Sequence, residues 1–156
     1  MWLPSAATAQ PPAYAFAMLG GQVVPPTVSR GFGTCVFNLT PLLDTLIYSI
    51  DYHGLGGGRT SLDIHSGFFG QTGPVVLNLS PISGGTSDSL AGRIFWPPAL
   101  RPLVQDLNNP VAPLYVEIDT QSYPAGEIRG QFVRPSLFVP VKATTWGRLR
   151  RENLGP

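Results

Sequence analysis

Turn residues cut this chain into short pieces. Pro25-Pro26, Gly56-Gly57-Gly58, Gly84-Gly85, Pro97-Pro98 and Asn108-Asn109-Pro110 recur along it, and no long helix fits between them. The pieces alternate apolar and polar residues with period two, the repeat of a half-buried strand. Eight such runs are candidate strands: Tyr14–Leu19, Phe32–Leu39, Thr45–Tyr52, Thr60–His65, Val75–Leu79, Ser89–Phe95, Leu114–Asp119 and Glu127–Val133. In "TLIYSIDY", Leu46, Tyr48, Ile50 and Tyr52 share one face, and the polar residues take the other. Short strands at this spacing argue for an antiparallel sandwich or barrel. The one helical candidate is "PALRPLVQDL", where Pro102 permits only a short helix with that proline in its first turn.

Composition agrees with many tight turns and excludes several classes. The 18 glycines and 17 prolines among 156 residues follow no collagen-like period. Charged residues make up 12% against 43% hydrophobic ones, the reverse of a disordered chain. A net charge of +1 gives no global case for nucleic acid. No apolar stretch reaches the ~18 residues of a membrane span. Cys35 is the lone cysteine, so no intrachain disulfide forms, and in "FGTCVFNL" it reads as a small buried hydrophobe.

Chemistry has few places to reside. The only imidazoles are His53 and His65, and no G-x-S-x-G elbow occurs. "GLGGGR" lacks the Lys-Ser/Thr end of a phosphate loop. The segment "YPAGEIRGQF" places Glu127 and Arg129 two apart, on one face of a strand, after Pro124-Ala125-Gly126. Such a pair is either part of a binding or active site or an ion pair that locks a turn and a register. Asp63 and His65, and Glu117 and Asp119, repeat the same spacing.

"PAGEIRGQF" resembles the closing motif of the CHRD domain, the chordin-type repeat found in secreted proteins. Other landmarks of that family stand in order: "VVPPTVSRGFGTCVFNL", "LIYSIDYHGL", "SLDIHSGFFGQTGPVVLNL" and "LYVEIDT". The resemblance covers residues 14–133. It implies an all-β, antiparallel Greek-key β-sandwich of about eight strands, broadly like that of Cu/Zn superoxide dismutase. It also implies an extracellular or cell-surface location. The family commonly has His-x-His where this chain has Asp63-Ile64-His65, and His where it has Asp119. Two histidines do not build a dismutase's bimetallic site, and no cofactor or metal is expected. The resemblance further implies that Asp63, His65, Asp119, Glu127 and Arg129 converge near one end of the sandwich. There a carboxylate beside a cation stays charged and fixes loop and strand register. His65 is expected to bond a carboxylate, and Arg129 to bridge Glu127 or Asp119.

The organisation is then an N-terminal arm or signal remnant (1–13), the sandwich (14–133) and a C-terminal arm (134–156). Residues 1–133 carry five basic and eight acidic residues, a net −3; residues 134–156 carry a net +4. The arm joins an apolar run (Leu137, Phe138, Val139) to "WGRLRR", with Trp146, Arg148, Arg150 and Arg151. Aromatic residues and arginine are favoured at interfaces. Together with Phe68 and Phe69 on the Gly-rich loop, these residues form the expected interaction surface. The reading is a non-enzymatic, secreted structural or protein-binding module that self-assembles as a homo-oligomer, or joins another structural protein, through its arms. One rival is a metal-binding or enzymatic sandwich centred on His65, Asp63 and Asp119. A second is a virion or surface-layer component.

Overall fold

A computed structural model describes residues 13–80, 83–105 and 111–135. Among the described residues there are eight strands: β1 Ala13–Leu19, β2 Phe32–Leu39, β3 Thr45–His53, β4 Arg59–Ser66, β5 Val75–Asn78, β6 Asp88–Phe95, β7 Val111–Thr120 and β8 Ile128–Val133. All pairings are antiparallel, in the order β5-β4-β7-β8-β1-β2-β3-β6. They form one curled sheet, a sandwich-like all-β fold. Its halves meet where β1 and β8 pair through Leu19 and Arg129 alone. Gly130 permits that approach, because a Cβ there would stand 2.7 Å from the Ala17 carbonyl oxygen.

The alternation read in the sequence sets the core. Leu46, Ile50 and Tyr52 of β3 and Cys35, Phe37 and Leu39 of β2 are buried between the halves. Leu62 and Ile64 of β4, Leu114, Val116 and Ile118 of β7 and Ile128 and Phe132 of β8 meet them from the other half. Phe37 stacks on Phe132 with ring centres 4.9 Å apart. Burial pushes the Cys35 thiol pKa far up, so this sulfur is an inert hydrophobe.

Most strand ends fall within one residue of the sequence reading, and two of the differences have physical reasons. β7 starts at Val111 and includes Pro113, which cannot donate to a ladder. A register shift between Val111 and Tyr115 accommodates it. β8 starts at Ile128, so Glu127 belongs to the turn and not to the strand. The expected short helix is α1, Pro102–Gln105, led by the proline and preceded by a 3-10 turn at Pro98–Leu100. Leu137, Phe138, Val139, Trp146, Arg148, Arg150 and Arg151 lie outside the described residues, as does residues 1–12.

Candidate functional site

The outward face of β4, β7 and β8 is polar yet largely covered. Side chains pointing away from the core line up in rows across the three strands. Asp63, Glu117 and Arg129 form one row, and His65, Tyr115 and Gln131 form the next. Ser61 and Asp119 begin a third. The covering element is the loop of residues 67–73, which carries Gly67, Gly70 and Gly73.

Arg129 is the centre of this face. It is 1% exposed, and its guanidinium carbon stands 3.4 Å from the centre of the Tyr115 ring. Nη1 donates to the Gln71 carbonyl at 2.6 Å and Nη2 to the Phe68 carbonyl at 2.9 Å. The planar fork suits two carbonyls at once in a way that an ammonium does not. Gln131 extends the grip, with Nε2 donating to the Gly67 and Ala112 carbonyls, each at 2.8 Å. The Gly73 amide donates to Tyr115 Oη at 3.1 Å. His65 stacks on Tyr115, ring centres 4.9 Å apart, and its Nδ1 lies 3.0 Å from the Gly73 carbonyl. A carbonyl only accepts, so this contact assigns the proton to Nδ1. The loop closes on itself through Gln71 N–H to Phe68 O and Phe68 N–H to Gln71 Oε1. At its tip, Phe68 and Phe69 remain 45% and 55% exposed.

The carboxylates have separate partners. Asp63 accepts from Asn78 Nδ2 at 2.6 Å, and Asp119 accepts from Ser61 Oγ at 2.8 Å. Glu117 stands directly opposite Asp63 and next to Arg129 in register. Burial raises the Glu117 pKa, and the Asp119 and Asp63 charges add to that, while His65 and Arg129 oppose it. Burial likewise raises the Asp119 pKa, against the Ser61 hydrogen bond and with Asp63 reinforcing. Among the described residues, no group of three or more His, Cys, Asp or Glu side chains is placed to hold a metal ion.

Glu127 serves a different junction. Its carboxylate accepts from Ser29 Oγ at 2.5 Å, the Gly56 amide at 2.6 Å and Thr120 Oγ1 at 2.6 Å. It is fully buried and ties the segments around Ser29, Gly56 and Thr120 to the β7–β8 turn. Gly126 supplies the turn's left-handed step, with φ +109.

Two expectations are therefore corrected. Arg129 bridges neither Glu127 nor Asp119, because its donors go to loop carbonyls and those carboxylates go to hydroxyls and an amide. His65 bonds a carbonyl and not a carboxylate. Asp63, His65, Asp119 and Arg129 do share one face, whereas Glu127 sits at the turn. Tyr115, Glu117 and Gln131 complete that face and were not among the expected site residues. Period-two spacing from Asp119 and from Arg129 was the signal that could have found them.

An antiparallel all-β module whose covered polar face fixes a loop with exposed aromatics is the class this fold and site define. The profile of the CHRD domain matches residues 14–132, and the chain belongs to that family. CHRD domains are typically extracellular. No curated protein and no solved structure matches the chain. Among the described residues, no helix is long and apolar enough to cross a membrane.

Proposed function

We propose that this protein is a non-enzymatic, secreted structural or protein-binding module, and that the 67–73 loop is its contact surface. The observation that carries this reading is the fork of Arg129 on the Phe68 and Gln71 carbonyls beneath two exposed phenyl rings. A buried guanidinium donating two charge-assisted hydrogen bonds holds the loop in one conformation. Aromatic side chains on a pre-ordered loop lose little entropy on binding and serve as anchors. Arg129, Gln131, Tyr115 and His65 beneath are engaged in holding the loop, which leaves apolar contact as the outward chemistry of its tip.

Self-assembly through the terminal arms is part of the same proposal. The −3 body and the +4 C-terminal arm attract between copies. Sedimentation of the full chain, of a chain ending at Pro135 and of the Phe68→Ser/Phe69→Ser variant tests it. The full chain is expected to be oligomeric, the shortened chain monomeric and folded, and the loop variant weakened in association. A full chain that sediments as a monomer at every concentration overturns the assembly reading.

A further inference from the structure

β6 ends the sheet on one side and β5 on the other. β5 has four residues, a short edge. β6 has eight, without proline, and its register with β3 runs unbroken from Asp88 to Phe95. Among the described residues no strand pairs with the outer edge of β6, so a row of backbone donors and acceptors faces outward there. Leu90 and Ile94 point inward and are half-buried at the margin of the core. Ser89, Ala91, Arg93 and Phe95 point the other way and are exposed. Charge on that outer face is separated along the strand. Ser89 stands opposite Asp51 of β3 and donates from Oγ to its carboxylate. Arg93 lies four residues on, and its row continues through Ile47, Asn38 and Ala13 without a carboxylate.

We infer that β6 is an interface between two copies of the chain, paired edge to edge and antiparallel about a twofold axis through Ala91. The inference rests on the self-assembly reading and gives it a symmetry and a register, with a geometry set by β3 and β6. Side chains that face each other across an antiparallel pair share one side of the sheet, so the twofold axis must pass through a residue position. With the axis at Ala91, Ser89 faces Arg93 of the second copy, Leu90 faces Gly92, and Ala91 faces its own equivalent. Arg93 then joins the row of Ser89 and Asp51. Two strand spacings, about 9.5 Å, separate its backbone from that of Asp51, a gap the two side chains span over the small serine. Symmetry repeats the row, giving two opposite-charge contacts, and each leucine meets a glycine. An axis at Leu90 sets two leucines head on, one at Gly92 sets two glycines together, and both take Arg93 out of the Asp51 row. Charge and volume select the same register. One strand pair is a small contact beside the interfaces of stable complexes, so it acts together with the arms and fixes how the copies align.

The test is disulfide trapping in the full chain. Facing Cα atoms of an antiparallel pair lie ~4.5–5.5 Å apart, within the range a disulfide bridges. The native Cys35 is buried and silent. Ala91→Cys, oxidised with diamide, is expected to yield a covalent dimer. Asn38→Cys, equally exposed on the same face but on β2, is expected to yield none. Adding Arg93→Asp or Asp51→Arg to Ala91→Cys puts like charges in both rows and is expected to cut the yield roughly fivefold or more. An equal mixture of those two double variants rebuilds opposite charges in both rows and is expected to recover the yield. A link at 91 no stronger than at 38, a yield indifferent to the charge changes, or a mixture that fails to recover it overturns the inference. If the wild-type chain still sediments as an oligomer in that case, only the edge pairing falls. If it sediments as a monomer at every concentration, the self-assembly reading falls with it.

Discussion

Arg129 lies over Tyr115 with its guanidinium carbon 3.4 Å from the ring centre, and among the described residues no carboxylate accepts a hydrogen bond from it. An arginine that is 1% exposed needs compensation for lost hydration. Here an aromatic face and three oxygens, two of them loop carbonyls, supply it. The cation thus orders a loop and not an ion pair.

Removing that cation leaves the Phe68 and Gln71 carbonyls without their donors. Arg129→Ala is expected to cost about 2–4 kcal/mol of stability, from two charge-assisted hydrogen bonds and the stacking contact. Arg129→Lys is expected to recover little of this, because an ammonium lacks the planar fork. Chemical denaturation measures the loss, and amide exchange across residues 67–73 locates it. Unchanged exchange in that loop contradicts the assigned role.

Glu127 is expected to be as critical at the opposite junction. Glu127→Ala strands three donors, on Ser29, Gly56 and Thr120, and is expected to cost about 2–4 kcal/mol. Glu127→Gln keeps the shape but replaces one acceptor oxygen with a donor, and is expected to fall between wild type and alanine. A Tm for Glu127→Ala equal to that of the wild type refutes this.

The Glu117 row makes stability depend on pH. Its folded pKa is raised, so the folded state binds more protons than the unfolded state over the window between the two values. That contribution is fully present below the unfolded value of about 4.3 and is lost as pH rises through the folded pKa. Glu117→Gln removes the ionisation and the like-charge opposition to Asp63. The variant is expected to melt above the wild type at pH 7 and to converge with it at acid pH. Parallel melting curves at both pH values count against it.

Gly126 is expected to resist substitution on two grounds. Its φ of +109 is strained for any side chain, and a Cβ there would stand 2.8 Å from Glu117 Cδ and 3.0 Å from Val23 Cγ1. Gly126→Ala is expected to cost about 1–3 kcal/mol. At Gly21 a Cβ meets nothing within 4 Å, so Gly21→Ala is the control and is expected to change stability far less. Equal melting temperatures for the two variants remove the turn's special status.

Residues 13–135 show which features were local. Period-two alternation located all eight strands, and Pro102 placed the start of α1, because each is set by neighbours a few residues apart. "FGTCVFNL" alone sorted Cys35, Phe37 and Leu39 inward. The resemblance carried by "PAGEIRGQF" and the segments before it gave the family. The same spacing rule put Asp63 and His65 on one face of their strand, and Glu117 and Asp119 on one face of theirs.

Partner choice was not local. Glu127 and Arg129 are two apart, yet one binds Ser29 and Gly56 and the other binds Phe68 and Gln71. Those partners come from loops 58 to 98 residues away in sequence, and no spacing encodes them. Charge complementarity along the sequence suggested an ion pair. Only the folded sheet decided otherwise: the turn at Gly126 ends before β8, so Glu127 leaves the strand's face while Arg129 is covered by the 67–73 loop. A buried charge takes whatever acceptors the tertiary structure brings within reach, and here those are carbonyl oxygens.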